Sequence, residues 1–198
     1  MDSRIILQTL DKIADKIDKH ADELTELDRL IGDGDHGINL KRGFDQIKLT
    51  LPTLENKTSK EIFNNCAMIC MTKVGGSSGP LLATAFMKMA ASDNFADALM
   101  NAANGIKERG RANVGEKTML DILMPYAQTY NEQIKVTDHK NACMQALKVA
   151  KEHLEHSKEI KATKGRASYL GERSIGVTDP GSQSMFYILE VISESAHD

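Results

Sequence analysis

Tryptophan is absent from this chain, aromatic residues make up only 5% of it, and 25 Lys and Arg against 28 Asp and Glu leave a net charge of −3. A chain with no basic stripe and few stacking rings lacks the means to grip nucleic acid. No stretch approaches 18 apolar residues, and Met1-Asp2-Ser3-Arg4-Ile5 has neither the basic region nor the apolar run of a secretory signal. A soluble, cytoplasmic protein is expected. Cysteine is scarce as well: Cys66, Cys70 and Cys143 are an odd number, and they read as buried thiols in a reducing compartment. His153 and His156 lack partner ligands and read as a polar helix face. The four prolines, 52, 80, 125 and 180, sit mainly at or near helix starts and stops.

What the chain does have is helical periodicity. Its 198 residues, 41% hydrophobic, suit one core and one domain over 1–198. Ile6, Leu10, Ile13, Ile17, Ala21, Leu24, Leu27 and Ile31 recur at steps of three and four, predicting one helix over residues 3–30, about 40 Å long. Similar patterns predict helices at about 37–51, 59–73, 79–92, 95–109, 118–132, 138–157 and 182–196. The expectation is an all-α, antiparallel up-and-down array of eight helices.

Glycine adds a spatial inference. Twelve of the fourteen glycines fall in the connections between helices one and two, three and four, five and six, and seven and eight. In an up-and-down array alternate connections lie at the same end. The four glycine-rich loops therefore share one end, and the glycine-free connections near 51–58 and 92–94 close the other.

At that end stands an acidic cluster, Asp28, Asp33 and Asp35, in Asp28-Arg29-Leu30-Ile31-Gly32-Asp33-Gly34-Asp35-His36-Gly37-Ile38-Asn39. Asp28 lies in the last turn of a helix, where the macrodipole disfavours an acid by about 0.3–1 kcal/mol. Capping and turn formation would explain one of these acids, not all three. An all-oxygen set favours Mg²⁺ over zinc, and an EF-hand fails because Ile38 and Phe44 occupy the required glycine and glutamate positions. Gly75-Gly76-Ser77-Ser78-Gly79-Pro80 opens a helix and can cradle phosphate, or serve as an ordinary turn capped by Ser78. Gly110-Arg111-Ala112-Asn113-Val114-Gly115-Glu116-Lys117-Thr118 is not a P-loop, since Glu116 interrupts Gly-Lys-Thr and no strand precedes it. It can still offer Gly115 N–H, Lys117 and Thr118 to phosphate, or cap the next helix through Thr118. The connection at 161–181 is long enough to be functional, and Arg166 and Arg173 can pair phosphate oxygens through planar forks. Acids for metal, amides and hydroxyls for phosphate and arginine for residual charge together suggest phosphoryl transfer on a Mg²⁺-nucleotide.

These loops resemble one family over almost the whole chain, the L subunit of dihydroxyacetone kinase. The segments that carry the likeness are Ile31–His36-Gly37, Gly76–Leu81, Gly115-Glu116-Lys117-Thr118-Met119 and, longest of all, Lys164 through Gly176. The resemblance implies an eight-helix barrel with ADP or ATP and two Mg²⁺ at the loop end. It matches Asp28, Asp33 and Asp35 to metal ligands. It matches His36, Gly37, Ile38, Asn39, Ser77, Ser78, Gly115, Met124, Arg166, Asp179, Pro180 and Gly181 to nucleotide contacts. Ser77 stands where some relatives have alanine, so Ser78 should matter more. His36 is expected at phosphate rather than as a base, and no residue is assigned as catalytic. The family implies two partners: a K subunit holding dihydroxyacetone, and an M subunit of the phosphoenolpyruvate-dependent phosphotransferase system that recharges bound ADP. With no substrate-domain sequence after His197-Asp198, the bound-ADP mechanism is the expectation. The alternatives are an L-type subunit that exchanges ATP or serves another acceptor, and a nucleotide-sensing partner of a transcription regulator.

Overall fold

The computed structural model describes residues 1–196. Among them α-helices run Ser3–Lys19 (α1), Ala21–Ile31 (α2), His36–Thr50 (α3), Ser59–Lys73 (α4), Ser78–Ala90 (α5), Phe95–Gly110 (α6), Leu120–Gln133 (α7), His139–Ser157 (α8) and Pro180–Ser195 (α9). Short 3-10 segments occupy Leu51–Leu54 and Arg166–Ser174, and there is no strand among these residues. Local chemistry sets most of the starts. Asp2, Asn94 and Asp138 each accept a first-turn N–H of α1, α6 and α8. At α4 the exchange is reciprocal: Glu61 N–H donates to Thr58 Oγ1 at 3.3 Å, and Thr58 N–H donates to the Glu61 carboxylate at 2.9 Å.

The long first helix expected over 3–30 is broken. At His20 the backbone leaves helical geometry, with φ −108° and ψ 11°. Its ring stacks on Tyr187 of α9 at 4.2 Å and meets Glu23 at 2.8 Å, while the Tyr187 hydroxyl donates to the same Glu23 carboxylate at 2.8 Å. The apolar period runs straight through the bend, since Ile17, Ala21 and Leu24 are all buried. Periodicity reports which face is inward, not whether the axis is straight.

With α1 and α2 taken as one kinked stave, the eight-stave architecture holds. Each helix packs against its chain neighbours in the order α1, α3, α4, α5, α6, α7, α8, α9, and α9 returns to α1, closing a ring. α2 leans on α3, α9 and the 3-10 segment at Arg166–Ser174. α7 departs from an amphipathic pattern, because every residue from Leu120 to Ala127 is buried. Pro125 lies inside this helix rather than at its start. It carries no N–H, so the carbonyl of Asp121 loses its helical donor there.

The ring's two ends differ. Loops 32–35, 74–77, 111–119 and 158–179 each contribute to one cleft, as the glycine distribution predicts. At the other end Met1, Asp93, Asn94, Phe95, His139 and Ala196 sit around an apolar cavity of about 450 Å³. No helix among the described residues is long and apolar enough to cross a membrane.

All three thiols are buried and free. Burial pushes Cys66 up to about 12, Cys143 up to about 11 and Cys70 higher still. Because only the thiolate is nucleophilic, none should react with a disulfide reagent at pH 8 in the native chain, and all three should react in denaturant. The measurement is thiol titration with and without guanidinium; a fast-reacting native thiol would contradict the packing.

Candidate functional site

Asp28 is where the sequence looks least comfortable, and the structure resolves the discomfort. Its carboxylate is buried at the end of α2, but Oδ2 accepts the N–H groups of Asp35 at 2.8 Å and His36 at 3.1 Å. An acid misplaced at one helix C-terminus is thereby placed at the positive N-terminus of the next. Two consequences follow. Asp35, in the N-cap position of α3, makes no capping bond of its own, so its carboxylate is free for other work. Gly32 becomes obligatory, because a Cβ there would collide with Asp28 Oδ1.

Asp28, Asp33 and Asp35 each present an oxygen, and the three lie within 4.8 Å of one another. At that separation each like-charge pair costs about 3 kcal/mol at an effective dielectric near 20. Arg166 from the 158–179 loop partly offsets this, with its guanidinium 2.9 Å from Asp33 Oδ2. A close set of carboxylate oxygens beside a solvent-open cleft fits a hard divalent cation such as Mg²⁺.

His36 stands behind the acids. It is buried, with Nε2 3.0 Å from Ser184 Oγ and Nδ1 3.2 Å from Ser78 Oγ. Burial lowers its pKa despite Asp28 and Asp35 nearby, so the ring is neutral near pH 7 and ties α3 to α5 and α9. Ser78 is thus buried and oriented, whereas Ser77 is exposed at the N-terminus of α5. Unpaired N–H groups of that first turn are suited to an anion. Asn39 completes this wall, its Oδ1 accepting from Arg42 at 2.8 Å against the close-packed Gly75.

The 111–119 loop behaves differently from expectation. Gly115 N–H and Thr118 N–H donate to the two carboxylate oxygens of Asp121, at 2.6 and 2.7 Å. Lys117, one of the groups expected to serve phosphate, instead sends its ammonium to the carbonyls of Lys158, Ile160 and Ser174 at 3.4, 3.0 and 2.7 Å. It is 1% exposed and has φ +63°, a conformation costing a lysine about 1–2 kcal/mol. Asp121 was not singled out from the sequence, although Thr118-x-x-Asp121 is a capping-box spacing that marks it.

Asp179 caps α9, accepting the N–H of Ser182 at 2.7 Å, and burial pushes its carboxyl up to about 6. It faces the cleft beside Pro180 and Gly181.

The cleft, about 370 Å³, therefore brings together Asp28, Asp33, Asp35, His36, Asn39, Ser77, Ser78, Arg166, Asp179, Pro180 and Gly181. Four residues named with them lie outside its lining. Gly37 packs on the Ala21 carbonyl, and Ile38 is turned to solvent at 56% exposure. Gly115 is drawn to Asp121, and Met124 lines a separate groove with Val114 and Lys107.

Comparison with known proteins places these features in context. The family model described as DAK2 domain matches residues 30–194. The chain is 38% identical over 192 residues to the PTS-dependent dihydroxyacetone kinase, ADP-binding subunit DhaL, of Lactococcus lactis, covering 95% of each chain. It is 33% identical over 203 residues to the PEP-dependent counterpart of Escherichia coli, covering 98% of this chain and 97% of that one. Its fold superposes on the crystal structure of the dihydroxyacetone kinase of C. freundii with a TM-score of 0.80 at 21% identity, covering 98% of this chain and 35% of that one. The same kinase in complex with AMP-PNP and Mg²⁺ gives a TM-score of 0.76, also at 21% identity, covering 98% of this chain and 34% of that one.

Removing the Asp121 carboxylate leaves two loop amides without acceptors. Asp121→Ala should cost about 1–3 kcal/mol, a fall in Tm of about 3–10 °C for a domain of this size. A thermal scan by circular dichroism checks it.

Proposed function

This chain belongs to the DAK2-domain family as an ADP-binding L-type subunit of dihydroxyacetone kinase, a phosphotransferase, and we propose that its cleft carries ADP or ATP with two Mg²⁺. The observation that supports this most is the meeting of Asp28, Asp33 and Asp35 within 4.8 Å at the mouth of a cleft whose other walls suit phosphate. Asp28, Asp33 and Asp35 hold the metal, which when bound supplies charge neutralisation to the phosphate oxygens.

The remaining work belongs to the chain itself. Ser77, Ser78 and the first-turn amides of α5 hold phosphate oxygens, and His36, kept neutral, fixes the orientation of Ser78. Arg166 moves from Asp33 to the phosphates when nucleotide arrives, since both are anionic partners for one guanidinium. Asp179, Pro180 and Gly181 close the cleft from α9. Met124 and Gly115, outside the lining of the cleft, are given to the nucleotide by the family resemblance alone. No side chain of this cleft is assigned as a general base. The γ-phosphate passes to dihydroxyacetone held on a partner K subunit, where the acceptor hydroxyl meets its base, and an M subunit of the phosphotransferase system rephosphorylates ADP in place.

Two measurements test this. Asp33→Ala should leave helical content unchanged while weakening Mg²⁺-dependent ADP retention by more than the roughly 10–100-fold typical of changes behind the metal ligands. Normal retention would remove the metal assignment. Mixed with K and M subunits, phosphoenolpyruvate and the general phosphotransferase proteins, the wild-type chain should yield dihydroxyacetone phosphate. Turnover only with added ATP and K would replace the bound-ADP cycle with exchange.

A further inference from the structure

We propose that Lys117 is a positioning residue for Arg166: it rivets the neck of the 158–179 loop so that the loop tip presents Arg166 to the acidic cluster. This rests on the nucleotide reading of the cleft.

The three carbonyls that Lys117 engages come from both limbs of that neck, Lys158 and Ile160 on the way out and Ser174 on the way back. An ammonium has three donors and no acceptor, so the set is saturated. Two further bonds close the neck at the same level: Gly176 N–H donates to the Lys158 carbonyl at 2.7 Å, and Ala162 N–H to Ser174 Oγ at 2.9 Å. Beyond the neck the tip is held by a few bonds, Thr163 N–H on the Glu116 carbonyl at 3.4 Å, the Lys161–Glu172 ion pair at 3.0 Å and Ser168 Oγ on the Gly165 carbonyl at 2.6 Å, and by little apolar contact. Its packing is confined to Ala162 and Ala167 with Ile31 of α2, helped by Leu170 and Val177, while Tyr169 is 88% exposed. Gly165 and Gly171, both at positive φ, give the tip its bends. Arg166 sits on this tip and reaches Asp33. Its direction is therefore set at the neck.

Lys117 also has an end in the other loop. Its backbone lies between Gly115 and Thr118, the two residues whose amides Asp121 holds. A turn that needed only the positive φ would be served better by glycine. Lysine is strained there, and its ammonium is out of water. What it provides in return is a fixed distance between the 111–119 loop and the base of the loop that carries Arg166.

The experiment compares Lys117→Met, Lys117→Gln, Lys117→Arg, Arg166→Ala and the Lys117→Met/Arg166→Ala double variant in the full chain. Without nucleotide, Lys117→Met should raise amide exchange across 160–175 at least about tenfold and leave α4 and α5 unchanged. In MgADP titrations Arg166→Ala should weaken binding about 10–100-fold, as loss of charged hydrogen bonds does. Lys117→Met should also weaken binding, the double variant should match Arg166→Ala within about twofold, and Lys117→Arg should recover part of the loss. Multiplicative losses, or unchanged exchange at 160–175, would overturn the proposal. If Lys117→Met does not fold, Lys117→Gln and its double with Arg166→Ala decide by the same criteria. A wild-type chain that fails to bind MgADP overturns the nucleotide reading and this role together. A wild type that binds, with the loop undisturbed in the Lys117 variants, overturns this role alone.

Discussion

The acceptance of the Asp35 and His36 amides by one Asp28 oxygen is the constraint from which the rest of the site is built. That pair of bonds locks the last turn of α2 to the first turn of α3 across a four-residue loop. It satisfies amides that α3 would otherwise leave open, and it leaves Asp35 uncommitted beside Asp33. It also fixes His36, whose two ring nitrogens carry the registration onward to Ser78 on α5 and Ser184 on α9. Three staves are thus referenced to one buried carboxylate, which combines structural bonds with an oxygen lying within 4.8 Å of those of Asp33 and Asp35.

Around this anchor the cleft is firm on one side and slighter on the other. The firm side is built from helix termini and close glycine contacts, where Gly32, Gly37 and Gly75 admit neighbours that a methyl group would exclude. The slighter side is the 158–179 loop, which has a small core of its own and is held at its neck by hydrogen bonds to an imported ammonium. Sites that must admit and release a charged ligand draw their moving parts from such regions.

Much of this was legible in the sequence, and the exceptions have physical reasons. Helical period gives the staves, and for α4 it gives the observed bounds, 59–73, at whose start the structure adds the reciprocal Thr58–Glu61 cap. Glycine counting brought the four loops to one end. The break at His20 was not legible, because it is made by Tyr187 and Glu23 without disturbing the apolar period. Lys117 was not legible either: sequence gives a donor beside Gly115 and Thr118, but not the direction in which a buried ammonium points. Asp121 followed a recognisable capping spacing, yet its value lies in the loop it orders rather than in any ligand it touches.

Parity is a quieter property of the ring. With eight staves, and Met1 and Ala196 both beside the apolar cavity, the first and last described residues sit at the rim away from the cleft. α9, 16 residues long, corresponds to about 24 Å of rise. Any polypeptide joined at either point starts on the far side of the barrel and must travel roughly that distance before it can reach the mouth of the cleft. Attachments at those points are the ones least apt to obstruct the cleft.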